Sequence, residues 1–299
     1  MKIDVITIAA FGNYGSMLQA LATQEFFKQH GADVRFVETA SKPNYLQRLK
    51  YLCTTGRKIT IPFKILPAIA AIYETSRVFG GFKRKYFHMS DNKLSFDEVY
   101  KSDADAFCSG SDQIWNPACG EQTKKIMHLS FAPEGSYKFS FSSSFGTSEI
   151  SQEEAAETQK YINQYRHISV REDSGLKILR ECYNYRHAVQ IIDPTLCLSG
   201  NTWRKYVKTT NGGGDYILIY ALHTDKKIND FAQALAKKTG LKLVRICSSW
   251  RQFNQNLFRR EKKIILPDVF RFISLIDNAK YVVTNSFHGT AFSLNLNTE

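Results

Sequence analysis

KYVVTNSFHGTAFSLN, residues 280–295, changes character twice within a short span. Tyr281-Val282-Val283 is aromatic and β-branched without charge, the composition of a buried strand. Thr284-Asn285-Ser286 is a polar turn, and a helical pattern begins at about His288. A strand that passes through a polar, Gly-containing turn into a helix marks the carboxyl edge of an open α/β sheet, where such sheets hold ligands. The first turn of that helix offers backbone N–H groups and the positive end of its dipole, which suit an anion. Ser286 and Thr290 add hydroxyl donors, and Gly289 lets the backbone approach a ligand. His288 stands where it could give a proton to a bound molecule. The same residues also read as a plain helix start, with Ser286 as N-cap and His288 as a rim histidine.

Outward from this stretch the alternation of strand and helix continues. Strands are expected at 216–222 and 242–246, with helices at 226–239 and 268–278. NGGGD, residues 211–215, is the clearest linker signal. Ahead of it, strands are expected at 3–9, 34–38, 105–109, 138–142 and 168–170, with helices at about 17–30 and 151–165. The architecture these elements predict is α/β, with two Rossmann-like domains facing across a cleft. Their expected limits are 1–210 and 211–299, the first domain carrying a basic insertion at about 45–95. So few strands follow the linker that the natural protein is expected to continue past Glu299.

Within 45–89 of that insertion Arg48, Lys50, Arg57, Lys58, Lys64, Arg77, Lys83, Arg84 and Lys85 face a single acid, Glu74, around the apolar, Pro-broken stretch 61–73. This pattern fits an interfacial segment drawn to anionic lipid. It fits equally a surface insertion of ordinary helices with a solvated basic face.

Composition narrows the function classes. At 43% hydrophobic and 23% charged, the chain is an ordinary globular one. The formal net charge of +12 points to an anionic partner. No zinc finger, RNP-like aromatic pattern or helix-turn-helix accompanies it, so nucleic acid is not expected. The cysteines are scattered without a CxxC pair, and reduced structural thiols are expected rather than a metal site. The chain opens directly on an expected strand, so no secretory leader is expected, and no apolar run is long enough to span a bilayer. The expected compartment is the cytoplasm, with peripheral contact at the inner membrane face.

Four further clusters sit where strands end. GNYGSMLQ, residues 12–19, places Gly12, Asn13, Gly15 and Ser16 either along a cleft or in a tight strand-to-helix turn capped by Ser16. In GSDQIWNP, residues 110–117, Ser111 and Asp112 can bind hydroxyls or cap. Trp115 offers a face to a sugar there, or packs inward. SSSFGTS, residues 142–148, brings Ser144 among several hydroxyls that serve a ligand or the next helix. In SVREDSG, residues 169–175, Arg171 lies beside a helix N-terminus, placed to grip carboxylate or phosphate or to pair with Glu172 or Asp173.

SFHGTAFSLN, GSDQIWNP, SVREDSG and GNYGSMLQ, in these positions, resemble the polysaccharide pyruvyl transferase family over all of the chain but about 45–95. The resemblance implies a GT-B-type fold and transfer of the pyruvyl group of phosphoenolpyruvate to sugar hydroxyls as a ketal, in bacterial cell-surface polysaccharide synthesis. Phosphoenolpyruvate would be the donor substrate, with no bound cofactor, and a sugar or lipid-linked oligosaccharide the acceptor. In that chemistry Arg171 would hold the donor's anionic groups and His288 would act as general acid. The family commonly carries GDE where this chain has Gly15-Ser16-Met17, and an arginine where it has Ser286. The family's lysine downstream of the FHG motif has no counterpart here, since no lysine follows Lys280. Two other readings stay open: a nucleotide-sugar-dependent GT-B-type glycosyltransferase, and a non-catalytic glycan- or membrane-surface-binding protein.

Overall fold

A computed structural model of the chain describes residues 1–39, 69–94, 100–207, 214–223 and 225–299. These divide into two compact α/β units. The first gathers Met1–Ala9 with the described parts of Ser16–Ser41 and Tyr86–Cys197. The second gathers Ala10–Gly15 with the described parts of Lys42–Lys85 and Leu198–Glu299. The expected boundary at 210/211 and residues 45–68 of the basic insertion lie outside the described residues.

In the first unit, β1 (Lys2–Ile6), β2 (Asp33–Thr39), β3 (Met89–Leu94), β4 (Ala106–Ser109) and β5 (Tyr137–Ser140) form a parallel sheet in the order β3-β2-β1-β4-β5. The short β6 (Ser169–Val170) and β7 (Val189–Gln190) pair in parallel, and the bridges Phe139–His167 and Ser143–Val170 set them beyond β5. β1 is buried from Ile3 onward, so it shows an apolar run rather than alternation. Its one buried charge, Asp4, accepts from Arg35 Nε at 2.9 Å and Tyr100 Oη at 3.0 Å. Phe107, Trp115, Phe145, Tyr165, Val170 and Leu179 belong to the core on this sheet.

β3 is a strand that the sequence did not announce, within the stretch read as the end of the basic insertion. MSDNKL has no apolar run because an edge strand needs none: only Leu94 is buried.

In the second unit, β8 (Tyr216–Tyr220), β9 (Lys242–Cys247), β10 (Lys262–Ile265) and β11 (Tyr281–Thr284) form a parallel sheet in the order β10-β9-β8-β11. β10 is the strand that the sequence did not announce: KKII is half charged, and as an edge strand it is nowhere fully buried. The helix Lys226–Thr239 starts at Asp225, whose side chain accepts from Lys227 N, and ends at Gly240 in the left-handed region, φ 72°. Ile217, Ile219, Ala232 and Val283 make the core between this helix and the sheet.

Both sheets reverse their order once. Strands on either side of β1/β4 and of β8/β11 are added in opposite directions, which opens a crevice at the carboxyl ends of those pairs. Among the described residues, no helix is long and apolar enough to cross a membrane.

Candidate active site

At the β8/β11 crevice of the second unit, the helix Phe287–Leu296 starts directly after β11. Ser286 is its N-cap, and Ser286 Oγ accepts from Gly289 N at 3.3 Å. Thr284 Oγ1 accepts from Ser286 N at 3.0 Å, and Thr290 Oγ1 donates back to Ser286 O at 3.3 Å. Asn285 Oδ1 accepts from Leu222 N at 2.9 Å, which ties the turn to the end of β8. A Cβ on Gly289 would stand 2.4 Å from Thr284 Oγ1, so only glycine lets the helix start this close to the strand. The turn is thus fixed by its own side chains, and the helix N-terminus projects its amides and dipole from a rigid base.

His288 is 6% exposed, buried rather than at a rim. Its ring packs on the backbone of Gly15: a Cβ at that position would lie 2.2 Å from both Cγ and Nδ1 of His288. Tyr14 holds Gly15 there. Its ring stacks on Phe272 at 4.8 Å with an interplanar angle of 2°, and its hydroxyl donates to Pro267 O at 2.8 Å. Gly12, with φ of 87°, turns the chain just before, beside the carbonyl of Ser248. Tyr220, paired with Thr284 across β8/β11, is 1% exposed and its hydroxyl makes no protein hydrogen bond of ordinary length. Burial pushes its phenol well above the usual range, and the nearby Ser286 hydroxyl offsets part of that rise. It therefore stays a neutral hydroxyl beside the helix start.

The carboxyl ends of β4, β5, β6 and β7 in the first unit are built differently. Arg171, one residue beyond β6, lies among three carboxylates. Its Nη1 is 3.1 Å from Asp193 Oδ2 and 3.7 Å from Asp112 Oδ1, and its Nε is 3.6 Å from Glu172 Oε2. Ser111 Oγ donates to Asp193 Oδ2 at 3.1 Å and to Ser142 O at 2.9 Å. Thr195 satisfies the other oxygen of Asp193 through N at 2.9 Å and Oγ1 at 2.6 Å. Ser144 Oγ donates to Glu172 Oε1 at 2.7 Å and accepts from Gly146 N at 3.0 Å. Asp112 takes a φ of 73°, a conformation asparagine and aspartate tolerate better than most residues.

Set against the sequence expectations, the second unit holds Gly12, Asn13, Gly15, Ser286, His288, Gly289 and Thr290, and it brings Gly15 against His288 and Ser286 against Gly289 and Thr290. The first unit brings together Ser111, Asp112, Ser144 and Arg171. Ser16 lies wholly buried inside the helix Tyr14–Gln29, so it is not a cap. Trp115 takes the packing reading: it is 2% exposed, with His128, Phe145 and Tyr165 around its ring, which leaves no face for a sugar. Arg171 is held by carboxylates, so an anion reaching it would meet three like charges. Tyr14, Tyr220, Asn285 and Asp193 had no announced role. Asp193 stands just before the short helix Pro194–Cys197, and nothing in the sequence marks that this aspartate faces an arginine.

Among the described residues no group of three His, Cys, Asp or Glu side chains is placed to hold a metal ion. Two parallel α/β units with a crevice at the strand ends of each make a GT-B-type fold, and solved structures of that type align over nearly the whole chain. The UDP-N-acetylglucosamine 2-epimerase from Rickettsia bellii aligns with a TM-score of 0.52 at 13% identity, over 100% of this chain and 77% of that one. The S. aureus MnaA–UDP co-structure aligns with a TM-score of 0.53 at 13% identity, over 99% and 78%. At that identity the likeness concerns fold alone. The chain belongs to the polysaccharide pyruvyl transferase family, whose model matches residues 13–299, and it is a transferase. A search of curated proteins finds no match.

Proposed function

We propose that the protein moves the pyruvyl group of phosphoenolpyruvate onto two hydroxyls of one sugar, forming a cyclic ketal and releasing phosphate. The observation that carries this reading is the His288 imidazole seated on Gly15 at the N-terminus of the helix Phe287–Leu296. The helix end favours the donor's anionic groups. A protonated His288 gives its proton to the methylene carbon, and the adjacent carbon becomes an oxocarbenium centre. One sugar hydroxyl adds to that centre and passes its proton back to the imidazole. The second hydroxyl then displaces phosphate, which leaves with the remaining proton. Arg171 has the role of holding Asp193, Asp112 and Glu172 in place rather than gripping the donor.

The test is His288→Gln, which keeps a hydrogen-bonding side chain. Phosphate release from phosphoenolpyruvate with a sugar acceptor should fall by about 10²–10⁴-fold, the usual contribution of a general acid. Stabilisation of the variant by phosphoenolpyruvate, read by thermal shift, should change little. Near-normal phosphate release would remove His288 from the chemistry. Stabilisation of the wild type by nucleotide sugars and not by phosphoenolpyruvate would favour a glycosyltransferase instead.

A further inference from the structure

Leu222, Trp250 and Phe287 are large apolar side chains exposed just past the carboxyl ends of β8, β9 and β11, and Leu257 and Phe258 are exposed on the connection that returns to β10, Phe258 at 97%. They are not loosely attached. The helix Trp250–Gln255 begins at Ser249, whose side chain accepts from Gln252 N. Gln252 Nε2 donates to the carbonyls of Ala221 at 3.2 Å and Leu222 at 3.1 Å, which fastens this helix to the end of β8. After it, the buried Asn256 donates through Nδ2 to Gln252 O at 2.7 Å, and Arg259 N donates to Asn256 O at 3.0 Å. The bonded turn presents Leu257 and Phe258 to solvent and keeps them from folding back.

The charge around them is of one sign. Arg251, Arg259, Arg260, Lys262 and Lys263 lie within 250–263 together with one acid, Glu261. Glu261 is taken by the buried Arg245 at 2.7 Å. Among the described residues no carboxylate lies within ion-pair distance of Arg251, Arg259 or Arg260. Exposed aromatic and aliphatic side chains among arginines suit a boundary that is apolar inside and anionic at its surface. A folded protein partner would need a matching face of ordinary interface size, and a single protruding Leu-Phe pair offers little of one.

We propose that residues 250–260 dock the protein onto an anionic lipid bilayer. Trp250, Leu257 and Phe258 enter the headgroup and acyl boundary, while Arg251, Arg259 and Arg260 bind lipid phosphates. The chain's net charge of +12 adds long-range attraction to such a surface. The inference stands on exposure and charge, and does not depend on the ketal-forming reading.

Trp250 makes the test direct. The chain has three tryptophans, and Trp115 and Trp203 are 2% and 0% exposed, so a change in emission on adding vesicles reports Trp250. The probes are phosphatidylcholine vesicles with and without phosphatidylglycerol, at low and high salt, and brominated forms of the same lipids. Co-sedimentation with the anionic vesicles is expected, with a blue shift and bromine quenching of Trp250, all weakened by salt. Leu257→Ser with Phe258→Ser should lower vesicle affinity by about tenfold or more. Arg259→Gln with Arg260→Gln should lower it by about fivefold per charge. Unchanged melting temperatures would show that both double variants remain folded. Absence of binding, binding without a change in Trp250 emission, or unaltered affinity in the double variants would each overturn the proposal. Equal binding to neutral vesicles would overturn its electrostatic half.

Discussion

The strand ends of the two units share a parallel topology and carry opposite chemistry. In the first unit, the strand ends from β4 outward to β7 carry an arginine among three carboxylates, and the surrounding hydroxyls are spent on those carboxylates. In the second, the ends of β8/β11 carry a helix N-terminus, a buried histidine and a neutral phenol, with a glycine on each close contact. A charge cluster that satisfies itself stabilises the fold. A set of amides and hydroxyls held rigid by glycine packing has interaction capacity left for a ligand. Parallel topology supplies the crevice, but the residues that fill it decide whether it is a keystone or a site.

The largest effect should come from Gly15→Ala. A methyl group there cannot coexist with the imidazole, so turnover should fall by about 10²-fold or more, the loss expected if His288 is the general acid proposed above. Gly15→Ala combined with His288→Gln should be little worse than either alone, because both remove the same placed ring. Steady-state kinetics of the three variants check this. Multiplicative losses would show that Gly15 matters for something other than His288.

Next in size is Arg171→Ala, which leaves Asp112, Glu172 and Asp193 without their common cation. Removing one partner of a buried ion pair typically costs about 3–5 kcal/mol, and urea denaturation should register a loss of that order. Adding Asp193→Asn to Arg171→Ala should return part of it. If stability held while phosphoenolpyruvate affinity collapsed, the first unit would be the anion site and the contrast between the crevices would be reversed.

The smallest effect separates the two buried histidines. His128 lies with its ring stacked on Trp115 at 5.6 Å and Nδ1 donating to Lys124 O at 2.8 Å, and burial pushes its pKa down to about 4. The folded value is below the ordinary 6.5, so the unfolded chain takes up the proton first. The stability tied to neutral His128 is therefore whole above about pH 6.5 and is lost as the pH falls toward 4, by about 3 kcal/mol at most. Urea midpoints at pH 7 and pH 4.5 should differ less in His128→Phe than in the wild type. Equal pH slopes would mean that His128 is solvated and that burial alone does not mark a structural histidine.

The local units of this fold are legible along the chain, and the contacts that join them are not. The strand, turn and helix at 281–296 are legible because β-branched residues, a Ser cap and a Gly sit in consecutive order. That Gly15 packs on His288 is not legible, since the two lie near opposite ends of the chain and neither encodes the other. β3 and β10 escape notice because polar edge strands lack the apolar signal by which strands are found. Trp115 and Arg171 show the other limit. Both residue types serve ligands and cores alike, and only neighbours distant in sequence decide between the two.

Asp4 carries a further consequence for how the chain assembles. It is a charged residue in a central strand, and its partners Arg35 and Tyr100 come from the next strand and from a distant loop. Slipping β1 by one residue would turn the carboxylate to the opposite face and strand it among apolar side chains. An all-apolar strand would tolerate that error at small cost, whereas here the misaligned sheet carries an unpaired charge. Asp4 thus works as a proofreading mark, a residue whose worth lies in the misfolded pairings it makes expensive.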